Sequence, residues 1–302
     1  MLKKNQIYRA TIEGYSSEGL GIAHIDGQVV FVHRAVRGED CEVLILKVLK
    51  NTAFGKVVAV HTLSPHRTEP DCPYYGRCGG CDFRHMDYAE ELWTKRQRVQ
   101  DALRRLGGSD VTVEEILGAE RTERYRNKSQ YPVAADGSVG FYRSRTHQVT
   151  DIDRCLIQMG AADKAAAVLR QYIRQFAVPC YDENTGRGLL RHLYVRSNTR
   201  GECLICLLVN GESLPHEPEL VELLRRGCPA RWVWCWASTP ARATPSWGTA
   251  TAPSGVRTRS PIPCAASNSA CRYRHSTRST TTRRNWRPHR VSVIVSSPQR
   301  VR

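Results

Sequence analysis

Three cysteines lie within ten positions of this chain, in the irregular segment DCPYYGRCGGCDFRH at residues 71–85. Cys72, Cys78 and Cys81 have the spacing C-x5-C-x2-C. The N-terminus lacks the apolar segment of a secretory signal, and no apolar run approaches the ~20 residues of a membrane helix, so we expect a cytoplasmic protein without a membrane partner. In a reducing compartment the twelve cysteines are expected to be ligands, nucleophiles or buried thiols.

Two kinds of metal site fit this spacing. Zinc could take the three thiolates together with His85 or with a fourth cysteine. An iron–sulfur cluster needs four thiolates, of which the fourth often comes from far along the chain, and Cys155 in TDIDRCLI is a candidate. Gly79 and Gly80 have no Cβ, so their backbone can approach a bulky cluster and direct N–H groups at its sulfurs. The spacing alone leaves zinc and a cluster open.

Residues 1–63 are predicted to form a small β domain. About five segments rich in Val, Ile and Leu fit into fewer than 60 residues, and Asp26-Gly27 is a strong signal for a β-hairpin. Gly19 and Gly21 flank a bend of the kind that closes small barrels. An OB-like barrel is therefore expected, with another small β domain as the alternative.

Residues 64–228 are predicted to be α+β, with a helix over residues 87–106. Asp87 can cap this helix, and Glu90 stands three residues later, as in a capping box. One face carries an apolar stripe that includes Val99 and Leu106, and the other face is basic. Two further helices are expected near residues 161–176 and 217–226, with paired strands between them.

Residues 229–302 have an anomalous composition. They contain 13 of the 45 basic residues, all arginine, and no aspartate or glutamate, so residues 1–228 carry a net charge of only +3. Trp232, Trp234 and Trp236 alternate, and we expect no core for them to join. We interpret the segment as a GC-rich gene read out of frame, with a disordered Arg-rich RNA-binding tail as the alternative.

Residues 1–228 resemble the bacterial 23S rRNA (uracil-5-)-methyltransferases. CPYYGRCGGCDFRHMDYAEELWTKRQRV is similar to their cluster motif and following helix, and RYRNKSQYPV, GFYRSRTHQVTDIDRC and RGLLRHLYVRSN resemble their central domain. The resemblance implies that residues 1–63 are a TRAM domain, an OB-like RNA-binding module. It also implies a [4Fe-4S] cluster on Cys72, Cys78, Cys81 and Cys155, and favours the branch that acts on ribosomal RNA.

In that family a cysteine thiolate adds to C6 of a flipped-out uracil, and C5 then takes a methyl group from S-adenosylmethionine. The nucleophile, the base and the donor site lie in a C-terminal Rossmann-like domain. We expect this domain to be missing here, because the chain after Cys228 contains no carboxylate and no glycine-rich loop. We therefore assign no catalytic residue and expect a truncated, frame-shifted and inactive copy. The alternative is a stand-alone RNA-binding iron–sulfur protein.

RNA contacts are expected from basic residues in both domains, with interleaved aromatic side chains stacking on bases. The aromatic candidates lie at residues 125, 131, 141 and 142, and the alternative is that they belong to the core. The expected partner is 23S rRNA, with no protein partner and a monomeric state. The basic candidates are Lys47, Lys50, Lys56, Arg124, Arg126, Lys128, Arg143, Arg145 and His147.

Overall fold

The computed structural model describes residues 2–228, 232–238, 256–257 and 294–295. The chain divides into two compact units, Met1–Glu120 (unit 1) and Arg121–Arg302 (unit 2). The domain boundaries after residues 63 and 228 stay predictions. Within the described ranges, no helix is long and apolar enough to cross a membrane.

Unit 1 begins with a six-stranded sheet in the order β1-β5-β6-β4-β3-β2. Only residues 12 and 13 separate the two edge strands, and their N–H groups donate to the carbonyls of Glu39 and Ile22, so one continuous segment joins both edges and closes the sheet into a barrel. All neighbouring strands are antiparallel except β4 and β6, which are parallel. At the predicted hairpin between β3 and β4, Asp26 and Gly27 both have positive φ, at 49° and 75°. A type I′ turn needs this pair of conformations, so the Asp-Gly prediction is confirmed. The strands are Ile7–Thr11 (β1), Gly14–Tyr15 (β2), Gly21–Ile25 (β3), Gln28–His33 (β4), Asp40–Val48 (β5) and Thr52–Thr62 (β6).

Unit 1 continues through the cysteine segment into one helix, Tyr88–Arg105 (α1). Asp87 caps it as predicted, because its carboxylate accepts a hydrogen bond from the Glu90 backbone N–H at 2.8 Å. The Glu90 side chain does not complete a capping box and instead accepts hydrogen bonds from Tyr15 of β2 and from Arg37 in the connection between β4 and β5. The expected apolar stripe is largely uncovered within the described residues, with Val99 and Leu106 both exposed.

Unit 2 combines a mixed sheet with two helices. Its main sheet has the order β13-β12-β11-β10-β7, with β14 also paired to β12, and β8 pairs with β9 in a separate hairpin. The elements are Lys128–Pro132 (β7), Gly140–Tyr142 (β8), Val149–Asp151 (β9), Gly160–Phe176 (α2), Leu190–Ser197 (β10), Cys203–Val209 (β11), Glu217–Gly227 (α3), Trp232–Ser238 (β12), Val256–Arg257 (β13) and Ile294–Val295 (β14).

The strand β12 corrects the prediction that residues 229–302 join no folded core. β12 pairs in parallel with β11, with Trp234 opposite Ile205, so β11, α3 and β12 form a βαβ unit. Trp232, Trp234 and Trp236 are buried, and they pack in one cluster with side chains of α2 and α3. The tryptophans are buried because of contacts with distant parts of the chain. The helix α3 returns the chain beside β11, and alternate residues of β12 then face the core. Beyond β12, β13 and β14, the predicted disorder concerns positions outside the described residues.

Candidate functional site

The cysteine segment of unit 1 is a chain of tight turns. The N–H of Tyr75 donates to the carbonyl of Cys72 at 3.0 Å, and the N–H of Cys78 donates to the carbonyl of Tyr74 at 2.9 Å. The N–H of Gly80 donates to the Cys78 sulfur at 3.3 Å. Cys72, Cys78 and Cys81 are partly buried and form no disulfide with any described residue. The N–H of Gly80 therefore points at a cysteine sulfur, and its role towards a cluster stays a prediction.

Arg34, at the end of β4, holds this segment against the sheet. Its Nη2 donates to the carbonyl of Gly76 at 2.6 Å, and its guanidinium lies 5.4 Å from the centroid of the Tyr75 ring. Gly76 has φ +89°, and a Cβ there would stand 2.7 Å from the Arg34 guanidinium. The positive φ favours glycine at this position, and a Cβ would displace the Arg34 guanidinium from its hydrogen bond with the Gly76 carbonyl.

His85 is the buried residue at the end of the cysteine segment. Its Nδ1 lies 2.6 Å from the Tyr75 hydroxyl, and that hydroxyl donates to the carbonyl of Asp82 at 2.9 Å. Burial, followed by the positive charge of Arg67, lowers the pKa of His85 to about 4. The ring is therefore neutral near pH 7. Burial raises the pKa of Tyr75 to about 12.

A buried ion pair supports the loop that follows β4. Glu39 is fully buried, and its carboxylate accepts hydrogen bonds from the Val36 backbone N–H at 2.8 Å and from Arg67 Nη2 at 2.7 Å. Arg67 also donates to the carbonyl of Arg34 at 2.9 Å. Arg67 precedes the cysteines in sequence, so this pair fixes the start of the cysteine segment to the barrel.

A second buried carboxylate ties α1 to the barrel. Glu90 accepts hydrogen bonds from Nε and Nη2 of Arg37, each at 2.9 Å, and from the Tyr15 hydroxyl at 3.0 Å. The Arg37 guanidinium lies 4.0 Å from the centroid of the Trp93 ring. Hydrogen bonding to Glu90 raises the pKa of Arg37. The barrel, the cysteine segment and α1 are therefore joined by buried polar contacts.

Cys155 lies in unit 2, in the turn between β9 and α2. Its backbone N–H donates to Oδ1 of Asp163 at 3.0 Å, and Oδ2 of Asp163 accepts from Arg124 at 2.6 Å. The N–H of Arg124 in turn donates to the carbonyl of Leu156 at 2.9 Å. The first turn of α2 thus holds the backbone of Cys155 in place.

The four predicted cluster ligands fit a cluster by their chemistry, since all are partly buried cysteines that form no disulfide with any described residue. They are split three to one between the two units. Among the described residues, no group of three His, Cys, Asp or Glu side chains stands in an arrangement that could hold a metal ion. This finding includes the zinc alternative with His85, whose Nδ1 faces Tyr75. The ligand set stays a prediction.

The basic residues predicted to bind RNA differ in what surrounds them. Lys47, Lys50 and Lys56 are exposed on β5, β6 and the turn between them. In unit 2, Arg124 is paired with Asp163, and His147 Nδ1 lies 2.6 Å from Oε2 of Glu183. The remaining candidates in unit 2 are exposed: Arg126, Lys128, Arg143 and Arg145.

Most of the aromatic residues proposed to stack on bases instead make contacts within unit 2. Tyr131 is buried, and Phe141 packs against it with ring centroids 4.9 Å apart. The Tyr142 hydroxyl donates to Oε1 of Glu183 at 3.2 Å. Tyr125 is exposed and could stack on a base. For Tyr131 and Phe141 the core alternative is the correct one, because Tyr131 belongs to the hydrophobic core cluster of unit 2 and Phe141 packs against that cluster.

Sequence reasoning missed an aromatic pair in the barrel. Phe31 and Phe54 lie side by side on β4 and β6, with ring centroids 5.4 Å apart. The strand period of two offered a signal, because Val30 and Val32 on either side of Phe31 take the core positions. No catalytic residue is assigned among the described residues.

Comparisons with known proteins agree with part of these predictions. A TRAM domain model matches residues 2–58. The chain is 45% identical over 227 residues to an uncharacterized RNA methyltransferase of Clostridium tetani, covering 74% of this chain and 49% of that protein. A similar protein of Halalkalibacterium halodurans is 37% identical over 233 residues, covering 76% and 51%. The chain therefore contains a TRAM domain, and it spans about half the length of the curated relatives it matches.

Among solved structures, the fold is similar to that of the Pyrococcus abyssi tRNA (uracil-54, C5)-methyltransferase in complex with S-adenosyl-L-homocysteine. The TM-score is 0.60 at 18% identity, and the match covers 80% of this chain and 53% of that one.

These matches correct the prediction that the methyltransferase fold is missing. A methyltransferase crystallised with a product of its methyl donor matches 80% of the chain, and RNA methyltransferases match about three quarters of it. The expectation of an inactive chain depended on that absence and is contradicted with it. The alternative of a stand-alone RNA-binding iron–sulfur protein is not better supported by these matches. The prediction failed because the composition of residues 229–302 was taken to exclude any folded strand, whereas β12 is part of the core.

Proposed function

We propose that this chain takes part in S-adenosylmethionine-dependent methylation of C5 of a uracil in RNA, with 23S ribosomal RNA as the substrate. The observation that carries the proposal is the 45% identity to an RNA methyltransferase over 227 residues. The fold likeness to an enzyme named for a uracil C5 in transfer RNA supports the choice of target atom. The experiment therefore compares ribosomal RNA with transfer RNA as substrates. We also propose that the enzyme acts as a monomer in the cytoplasm.

We further propose that Cys72, Cys78, Cys81 and Cys155 hold a [4Fe-4S] cluster. The support is the chemistry of the four cysteines, the N–H of Gly80 directed at the Cys78 sulfur and the hydrogen bond that the Cys155 backbone N–H donates to Asp163. Within unit 1, the contacts of Arg34 and His85 would keep the cysteine segment in place.

S-adenosylmethionine supplies an electrophilic methyl group when it is bound. The βαβ unit of β11, α3 and β12 is of the kind that binds nucleotide-like ligands at the carboxyl ends of its strands. The turn after β11 has only one glycine, Gly211, before Ser213, so it is not a glycine-rich loop. We therefore assign no described residue to the donor.

The test is methyl transfer by the full chain. Purified protein is incubated with S-adenosylmethionine that carries a labelled methyl group and with unmodified 23S rRNA or unmodified tRNA transcripts. Nuclease digestion and chromatography then identify the labelled nucleoside. Label in 5-methyluridine from 23S rRNA is the expected result. Label in 5-methyluridine only from tRNA would overturn the ribosomal assignment, and no labelled 5-methyluridine from either RNA would overturn the proposed activity.

The cluster is tested independently of activity. Anaerobically purified protein is expected to be brown, with iron and sulfide in a ratio near one. Replacing any one of the four cysteines by serine is expected to lower the iron content strongly. Cys180→Ser is the matched control, since Cys180 is a partly buried free thiol outside the set. Bound zinc without sulfide, or equal iron in the Cys180 and Cys155 variants, would contradict the assignment.

A further inference from the structure

We infer that Phe31 and Phe54 form a stacking platform for single-stranded RNA on the outer face of the barrel, flanked by Lys47 and Lys56. The inference deepens the proposed function, since it names the part of unit 1 that would hold unpaired bases of the substrate RNA.

The two phenylalanines face away from the barrel core. On β4 the buried residues are Val30 and Val32, and on β6 they are Ala53 and Gly55, which alternate with the aromatic positions. Neither ring belongs to the hydrophobic cluster of the barrel or to the side chains packed around it. The rings are partly exposed and tilted by 37° to each other. Two apolar rings thus lie together on a solvent-facing sheet surface, where they gain little from packing in the core.

The strand register places lysines beside the rings. Lys47 of β5 is directly opposite Phe54 of β6, and Phe31 is opposite Phe54 on the other side. Lys56 follows Phe54 by two residues, so it shares its face, and it lies between His33 of β4 and Leu44 of β5. Across this face, Lys47, Phe54 and Phe31 therefore lie side by side on three neighbouring strands. Lys56 lies on the same face, two residues further along β6.

The charges of this surface favour an anionic partner. Three acidic residues of the strands and their connections already contact basic side chains: Asp40 contacts Arg9, Glu13 contacts His24 and Glu42 contacts His61. Lys47, Lys50 and Lys56 make no ion pair with any described residue. Unpaired lysines beside exposed rings are the combination that holds single strands, because the cations attract phosphates and the rings stack on bases.

Single-stranded RNA fits this face better than a duplex does. Base faces in a duplex are stacked on one another and cannot reach a pair of rings, whereas the bases of a loop can be splayed onto them. A uracil that is to be modified must itself leave its stack, so its neighbours are unpaired or easily unpaired.

The experiment measures RNA binding by the full chain without the methyl donor. Fluorescence anisotropy compares wild type, Phe31→Leu, Phe54→Leu and Leu63→Ala on a labelled oligouridylate and on the same strand annealed to oligoadenylate. Leucine keeps an apolar side chain on the sheet but removes the ring, and Leu63 is an exposed apolar residue of the same unit. Circular dichroism and thermal unfolding verify that each variant is folded.

We expect each phenylalanine variant to bind the single strand roughly tenfold more weakly, with an unchanged dependence on salt. Lys47→Ala and Lys56→Ala should instead each reduce the slope of log affinity against log salt by about 0.7, since each removes one phosphate contact. The control variant should bind like wild type. Irradiation of a 5-bromouridine strand should cross-link to the peptides that contain residues 31 and 54.

Wild-type affinity in both phenylalanine variants, or an equal loss on the duplex, would overturn the inference. Methylation of RNA by the phenylalanine variants at the wild-type kcat/KM would also overturn it while leaving the proposed function intact. Ring-dependent binding without any methyl transfer would have the opposite meaning, since the platform would stand and the proposed activity would fail.

Discussion

Replacing Arg37 by methionine is expected to lower the free energy of unfolding by about 3 kcal/mol. Arg37 donates two hydrogen bonds of 2.9 Å to Glu90, and the Glu90 side chain is only 1% exposed. The variant would leave this carboxylate buried with the Tyr15 hydroxyl as a remaining donor at 3.0 Å. The Glu90 carboxylate would therefore lose the guanidinium bonded to it, and His66 Nε2 would remain only at 3.7 Å.

The magnitude comes from two contributions. Removing one partner of a buried ion pair costs about 3–5 kcal/mol, because the other charge stays buried without compensation. The Arg37 side chain is 33% exposed, so solvent screens the pair and we reduce this contribution to about 2 kcal/mol. The contact of the guanidinium with Trp93, at 4.0 Å from the ring centroid, adds about 1 kcal/mol.

The assay is urea unfolding of the full chain followed by far-UV circular dichroism. Lys95→Met is the matched control, because Lys95 pairs with Glu91 at 2.5 Å on the same helix but is exposed. Its expected cost is at most about 0.5 kcal/mol. A similar, small loss for both variants would refute the reasoning that burial makes the Arg37 pair strong.

A double-mutant cycle separates the pair from its surroundings. Arg37→Met, Glu90→Gln and the double variant are expected to show a coupling of about 2 kcal/mol, since the two side chains are in direct contact. Additivity within about 0.5 kcal/mol would show that the two residues act independently.

Three further predictions concern the cysteine segment and its counterpart in unit 2. Gly76→Ala should lower the midpoint of thermal unfolding more than Gly108→Ala, because both have positive φ but only the Gly76 Cβ would meet a guanidinium, at 2.7 Å; equal shifts would show that strain alone matters. Burial lowers the pKa of His85 from 6.5 to about 4, so the fold holds the neutral ring. The free energy of unfolding is therefore highest above pH 6.5 and falls as the pH drops toward 4, with a loss of about 2 kcal/mol at pH 5. In His85→Gln, the difference in unfolding free energy between pH 7 and pH 5 should shrink by that amount, and an unchanged difference would contradict the assignment. Asp163→Ala should lower the iron content of anaerobic protein while Cys155 is intact, because the backbone of Cys155 loses its 3.0 Å hydrogen bond; full iron retention would argue against this positioning role.

Several features followed from the sequence because their causes are local. The helix begins after Asp87 because one side chain accepts the N–H three residues later, and this needs only neighbouring residues. The hairpin at Asp26-Gly27 forms because these residue types tolerate positive φ. The N–H of Gly80 lies 3.3 Å from the sulfur of Cys78, which is two residues earlier, so this contact is local as well. The metal site that the C-x5-C-x2-C spacing predicted stays a prediction.

The tertiary structure decided which faces are covered. Glu90 looked like a capping-box residue, but its side chain turned to Arg37 and Tyr15, which are distant in sequence. Tyr131 was a candidate for base stacking but is buried in the core cluster that includes residues of α2. Phe31, for which we made no prediction from the sequence, lies outside the core of the barrel.

The same reason explains the error over residues 229–302. Composition describes a segment by itself, and by that measure Trp232, Trp234 and Trp236 had nothing to pack against. Their core is made by β11, α2 and α3, and it exists only once β12 pairs beside β11. Local conformation was therefore determined by the sequence of each short segment, because hydrogen bonds and φ preferences act within a few residues. Burial was decided by the tertiary structure, because desolvation depends on side chains brought together from distant parts of the chain.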